Sequence, residues 1–146
     1  MTTTSVRTFE PPVDAAPERH VGARLLGAAL AIAVAVIHVI DQGGFPGSKT
    51  PTYVGVGYYL LEAAGLVAAL ALIAGVHRHT LKAWALTVGV ALGPLVGYVL
   101  SRGPGLPGYT DDRGNWTEPL GVISLVVEGV LLALAGVVLA RSRRAA

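Results

Sequence analysis

Two glutamates interrupt long apolar runs in this 146-residue sequence, and they are the first candidates for chemistry. Glu62 and Glu128 each lie nine residues after the start of such a run. An ionisable side chain in a membrane helix is expensive, and it usually faces the interior of a bundle or a wet cavity. Two carboxyl groups at one depth could bind a proton or a cation. The alternative is structural: each is a protonated packing residue, hydrogen-bonded to a nearby tyrosine or serine hydroxyl.

Three further ionisable residues lie where apolar runs end. His38 and Asp41 close the first run, and Arg102 closes the third. His38 could ligate a haem or a metal or relay protons, although a hydrogen-bonded interfacial histidine is the commoner case. The other three histidines fall on the opposite side of the membrane, which argues against a haem held by two histidines. For Arg102 we weigh an ion pair with Asp41 against a side chain that reaches lipid headgroups.

Four apolar runs must position these residues, and each is long enough for the ~17–25 residues that cross a bilayer. Lipid offers no hydrogen-bond partners to a backbone, so helices are expected. The sequence therefore predicts an all-α polytopic membrane protein, a four-transmembrane-helix bundle in residues 21–146 after a flexible tail over residues 1–20. The predicted spans cover about residues 21–40, 53–76, 83–100 and 119–140.

Composition supports a lipid environment and excludes several kinds of chemistry. Hydrophobic residues make up 53% of the chain and charged residues 14%, against about 45–50% and about 25% in soluble domains. The chain has no cysteine, which excludes disulfides, thiolate catalysis and cysteine-ligated zinc. Basic residues are dispersed without interleaved aromatics, so no nucleic-acid partner is expected. We predict no catalytic residue, no cofactor and no metal site.

The distribution of basic residues predicts the orientation. Of the 11 Lys and Arg residues, eight fall on the side of the termini and three, Lys49, Arg102 and Arg113, on the other. The positive-inside bias then places both termini in the cytoplasm. Most aromatic residues gather toward the outer membrane interface, and Trp84 is expected alone at the inner one.

The sequence also indicates an internal duplication. The motif at residues 44–47, Gly-Phe-Pro-Gly, corresponds to Gly-Leu-Pro-Gly at residues 105–108, and the same alignment sets Glu62 over Glu128. We therefore predict two related helical hairpins, the kind of repeat found in some transporters.

The third run carries a small residue at every fourth position. Such a ridge lets helix backbones approach closely, either within the chain or against a partner. Its members are Ala85, Gly89, Gly93, Gly97 and Ser101.

Two specific elements give the chain a family resemblance: Ser-Arg-x-x-Gly-Leu-Pro-Gly at residues 101–108 and Glu-Pro-Leu-Gly at residues 118–121. With them, the chain resembles a group of uncharacterised small four-span membrane proteins from actinobacteria. The resemblance covers the four spans and leaves out the N-terminal tail. It implies the topology and a bacterial plasma membrane, and it implies no activity.

Three functions remain open from sequence. The leading expectation is a non-enzymatic accessory or assembly subunit, or a self-associating bundle, whose partners are the lipid bilayer and another membrane protein or a second copy. The alternative is a small proton- or cation-coupled transporter that uses Glu62 and Glu128, with His38 and Arg102 as an outer gate. The third is a haem or quinone carrier centred on His38. Loss of both glutamates would abolish transport but leave a structural subunit assembled, and a haem carrier would be coloured.

Overall fold

A computed structural model describes residues 18–75 and 80–144 of the chain. These residues form four helices, α1 (Glu18–Asp41), α2 (Thr52–Ala74), α3 (Thr80–Arg102) and α4 (Pro119–Arg144). By length and composition each is able to cross a membrane. The prediction of an all-α chain with four membrane-length helices is thus confirmed for the described ranges. Residues 1–17 of the predicted tail and 76–79 of the second loop, with two of the histidines, lie outside them, and residues 18–20 already belong to α1.

The four helices run up and down and enclose a common interior. α1 packs against α2 and α4, and α3 packs against the same two helices, while α1 and α3 also touch across the bundle. We call the end that bears residues 42–51 and 103–118 the loop end. The opposite end, where α1 and α3 begin, is called the terminal end.

The first hairpin closes through small side chains rather than large ones. A Cβ atom added to Gly65 would lie 3.1 Å from the carbonyl oxygen of Ala31 and 3.3 Å from the Cβ of Ala35. Ala31 and Ala68 have no exposed surface. Because lipid provides no hydrophobic driving force between helices, this close van der Waals contact holds α1 against α2.

Trp84 fills the terminal half of the bundle. Its side chain is 1% exposed, and a Cβ atom added to Gly27 would lie 2.8 Å from the indole ring. Trp84 belongs to one buried cluster with Leu72, Val90 and Leu131. Trp84 is thus inside the bundle, where Gly27 on α1 leaves room for the indole. Its predicted position at the depth of the inner membrane interface stays a prediction.

The C-terminus of α2 is capped by a residue of α1. Gly75 adopts a left-handed conformation with φ of 60°, and its N–H donates to the Ala71 carbonyl. The Arg24 guanidinium donates to the carbonyls of Leu72 at 2.7 Å and Ile73 at 2.9 Å. These carbonyls have no donor within the helix, so Arg24 supplies the missing bonds.

The small-residue ridge of α3 faces away from the bundle over most of its length. Ala85, Gly89 and Gly93 are exposed, and a Cβ atom on either of these glycines would meet no atom of the described residues within 4 Å. Gly97 lines the cavity described below, and Ser101 is buried with its hydroxyl donating to the Tyr98 carbonyl. The ridge turns outward because larger inward residues of the same helix fill the core, namely Trp84, Thr87, Val90 and Ala91.

Candidate functional site

All four helices line a cavity of about 120 Å³ that opens at the loop end. Because one water molecule occupies about 30 Å³ of liquid, the loop-end cavity can hold several waters or one small ligand. Many hydroxyl and charged side chains contribute to its wall, together with apolar ones. The hydroxyl and charged side chains are those of Asp41, Tyr58, Tyr98, Ser101, Arg102, Tyr109, Asp112, Glu118, Ser124 and Glu128.

Glu128 forms the buried floor of this cavity. It is 1% exposed, and its Oε1 accepts a hydrogen bond from the Ser124 hydroxyl one turn earlier on α4. The Nε2 of His38 lies 4.0 Å from the same oxygen. His38 Nδ1 lies 2.8 Å from the Val34 carbonyl, and a carbonyl can only accept, so the ring hydrogen lies on Nδ1. In the neutral ring this tautomer leaves the lone pair on Nε2, the nitrogen that lies 4.0 Å from Glu128 Oε1.

A chain of polar side chains connects His38 with the loop surface. The Tyr58 ring lies edge-to-face on His38, with ring centroids 5.3 Å apart. The Tyr58 hydroxyl donates to Asp41, and Lys49 Nζ lies 3.2 Å from the same carboxylate oxygen. The buried imidazole and the loop surface are therefore two side chains apart.

Arg102 is bound within the chain at the rim. Its guanidinium lies 3.5 Å from Asp112 and 3.7 Å from Glu118, and its Cζ is 4.0 Å from the centroid of the Tyr98 ring. The hypothesised ion pair between Arg102 and Asp41 is not formed, although both residues are described and line the cavity. Asp41 pairs with Lys49 instead, and the loop over residues 103–118 folds back and brings Asp112 and Glu118 to Arg102.

Glu118 has a second role at this rim, since it begins α4. Its two carboxylate oxygens accept from the backbone N–H groups of Leu120 at 2.9 Å and Gly121 at 2.5 Å. An acidic cap at a helix N-terminus satisfies unpaired N–H groups and complements the helix dipole. The same carboxylate thus fixes the start of α4 and holds Arg102 over the cavity.

Glu62 lies outside the loop-end cavity and does not share a site with Glu128. Its Oε1 accepts a 2.6 Å bond from Gln42 Nε2, whereas Glu128 faces His38. The two glutamates stand on α2 and α4, which are diagonal in the bundle. The two carboxyls therefore do not form one site, which is the arrangement in which they could share a proton or a cation. Gln42 was missed from sequence because one amide after an apolar run looks like an ordinary loop residue.

Three tyrosines of the loop end, Tyr58, Tyr98 and Tyr109, line the cavity, and their predicted position at the membrane interface stays a prediction. Tyr98 donates to the Trp116 carbonyl at 2.7 Å, and Tyr109 donates to Asp112 at 2.7 Å. Burial, followed by the bond to Asp112, raises the pKa of the Tyr109 hydroxyl above its ordinary value. The signal available in the sequence was the clustering of tyrosines and acids around the same two loops.

Acidic side chains outnumber basic ones in the cavity lining, and three of the four acids pair with Lys49 or Arg102. Four carboxyl groups line it against one guanidinium, that of Arg102. Within the described ranges no group of three or more His, Cys, Asp and Glu side chains has metal-binding geometry. Beyond Glu128, the apolar cluster of Leu72, Val90 and Leu131 closes the bundle. The cavity lining extends from Glu128 to Tyr109 and Asp112 at the loop end.

The chain was compared with protein-family models, curated proteins and solved structures, and none of the three comparisons gives a match. The resemblance to small actinobacterial membrane proteins therefore stays a prediction.

Proposed function

We propose that this protein is a small carrier of a bacterial plasma membrane, which takes a proton or a small cation from the loop side and holds it at Glu128. One observation supports this: a buried carboxyl forms the floor of an acidic cavity, opposite the lone pair of a buried histidine. Such a carboxyl is expensive in a membrane unless it has a partner or a task. Glu62 has no part in the proposed path.

The closed core beneath Glu128 makes the mechanism a carrier rather than a continuous pore. Leu131 is fully buried one turn below Glu128, so an ion that enters from the loop side meets packed side chains. Passage then requires a second arrangement of the helices that opens the terminal end. In that cycle His38 Nε2 receives the proton that Glu128 releases, or stays neutral while Glu128 holds a cation.

We propose that the loop end faces the outside and both termini the cytoplasm, as the basic residues predict. The absence of cysteine makes a labelling test free of background. Ser48→Cys reports the loop end and Ser142→Cys the terminal end. In intact cells a membrane-impermeant maleimide should label the first variant and not the second. The duplication of the two hairpins stays a prediction.

Ion uptake by reconstituted protein tests the carrier proposal. Liposomes loaded with a pH-sensitive dye are given an inward gradient of protons, or of sodium or potassium with a matching cation dye. The wild-type protein should dissipate one of these gradients, and Glu128→Gln should reduce the rate at least tenfold. Glu62→Gln, the matched amide variant outside the cavity, should retain it. Equal rates in protein-free and wild-type liposomes would refute the carrier.

A second candidate function is supported by the outward face of α3. Ala85, Gly89 and Gly93 present a smooth, exposed strip, which is the form of surface that membrane helices use for close association. It favours the accessory-subunit or self-associating alternative, with a second copy or another membrane protein against α3.

The association proposal is tested by enlarging the strip. Gly93→Ile should shift the protein in lipid nanodiscs from a dimer or a complex to a monomer, as measured by native mass spectrometry. Gly136→Ile on α4 is the control, since that glycine is also exposed and unobstructed. A monomeric wild-type protein without co-purified partners would remove this candidate.

The haem and quinone alternative draws no support from the cavity. Sites for such molecules usually enclose about 300–1,000 Å³, and the loop-end cavity has about 120 Å³. The visible absorption spectrum of the purified protein is the direct check.

A further inference from the structure

The pair formed by Gln42 and Glu62 contains an unused hydrogen-bond acceptor. Gln42 is 3% exposed and Glu62 is 7% exposed. The amide nitrogen of Gln42 donates to Glu62 Oε1 at 2.6 Å. Across the described ranges, Gln42 Oε1 is the one buried side-chain nitrogen or oxygen without a hydrogen-bond partner. Buried polar atoms nearly always form a hydrogen bond, so we expect a hydrogen-bond donor for this oxygen.

The chemistry of the two side chains identifies that donor. A primary amide both donates and accepts, whereas an ionised carboxylate only accepts. With Glu62 ionised, one bond forms and the amide oxygen stays unpaired. A neutral carboxylic acid has one O–H to donate, so it matches an amide with two opposed hydrogen bonds.

We propose that Glu62 holds a proton and donates it to the Gln42 oxygen, so that the two side chains form a two-bond clasp between α2 and the first residue after α1. The Gln42 carboxamide packs directly on Gly47, where a Cβ atom would overlap it. The Gly47 N–H donates to the Tyr59 hydroxyl at 2.8 Å. The clasp therefore fixes both the first loop and its contact with α2. This inference is independent of the carrier proposal.

The charged and titratable side chains around Glu62 each have a partner elsewhere. We therefore expect a proton, rather than an ion pair, to neutralise the Glu62 carboxylate. Lys49 of the first loop pairs with Asp41 of α1, His38 of α1 and Glu128 of α4 face each other, and Arg102 of α3 pairs with Asp112 and Glu118. Tyr58 donates to Asp41, and Tyr59 donates to the Gly47 carbonyl. No described basic side chain forms an ion pair with Glu62.

Infrared spectroscopy observes the proton directly. At neutral pH the wild-type protein in lipid should show a carboxylic-acid C=O band that shifts in D₂O. In a Glu128→Gln background, which removes the other buried carboxyl, the band should disappear in Glu62→Gln and persist in Asp41→Asn, the control at the loop rim. A Glu62→Gln spectrum that retains the full band would overturn the proposal.

A swap of the two groups tests the clasp without relying on one variant. Glu62→Gln preserves an amide pair and should fold with a near-unchanged Tm at neutral pH, and it should lack the part of the pH dependence that Glu62 causes. The wild-type Tm should fall at high pH, where Glu62 loses its proton. Gln42→Glu alone should lower Tm at neutral pH, and the double variant Gln42→Glu/Glu62→Gln should recover it. No recovery in the double variant would refute the clasp. A wild-type Tm raised by sodium chloride over choline chloride, and unaffected by salt in Glu62→Gln, would assign the site to a cation instead.

Discussion

The two halves of this bundle use the same four helices for different purposes. The terminal half is closed by a dry cluster in which Trp84, Leu72 and Leu131 are at most 1% exposed. The loop half surrounds a cavity of about 120 Å³ lined by hydroxyls and charges. Lipid removes the hydrophobic drive between helices, so close packing stabilises the first half. The polar groups of the second half are hydrogen-bonded or ion-paired with one another around the loop-end cavity, which water can enter.

This difference shows which part of a membrane bundle can contain a binding site. Each charged group at the rim is fixed by at least one partner, as Arg102 is by Asp112 and Glu118. Such preorganised groups keep the cavity open, because collapse would bury them without water. The packed half below supplies the rigid base. Changes in the packed half should therefore affect folding, and changes at the rim should affect pH response and binding.

The largest expected effect comes from the two tryptophans, one in each half. Trp84→Ala empties the centre of the terminal half and should cost about 3 kcal/mol of unfolding free energy, as large-to-small core changes do. Trp116 is 47% exposed at the loop end, so Trp116→Ala should cost well under half of that. Unfolding in mixed micelles of increasing SDS fraction measures both. Equal losses would show that the packed half does not carry the stability.

The second expected effect concerns the polar contact at the terminal end between Arg24 and α2. Arg24→Gln removes charge-assisted bonds to the Leu72 and Ile73 carbonyls, and such bonds contribute about 1.5–3 kcal/mol. The same SDS titration should show a loss of about 2 kcal/mol. The control is Arg141→Gln, an exposed arginine at the same end, which should change stability little. A matching loss in the control would point to a general charge effect.

The two halves also differ in how far the sequence predicted them. Four apolar runs predicted the helices, because the length needed to cross lipid leaves a strong one-dimensional signal. The cavity depends on how each helix is rotated, and the runs are apolar on all sides. Glu62 and Glu128 therefore looked equivalent, although one contacts Gln42 and the other faces His38. Likewise the ridge of α3 was recognised, while its outward direction depends on Trp84 packing against Gly27.

The smallest expected effect is a pH dependence of stability that only the loop half should show. Burial and the bond to Asp112 raise the pKa of Tyr109, so the folded state keeps a proton that the unfolded state loses near pH 10. This stability is fully present below pH 10 and declines as the pH rises above it, by about 1 kcal/mol at pH 11. Tyr109→Phe should remove that part of the decline. The measurement is the SDS unfolding midpoint between pH 8 and pH 11.

Tyr53→Phe is the matched control for this last effect, because its hydroxyl also bonds at the loop end, to the Pro107 carbonyl. That side chain is 49% exposed. Its replacement should leave the pH dependence of the midpoint unchanged. Trp84→Ala should shift the midpoint equally at all these pH values, because the packed cluster contains no titrating group. A pH-dependent shift in Trp84→Ala would mean that the packed half and the polar half do not act separately.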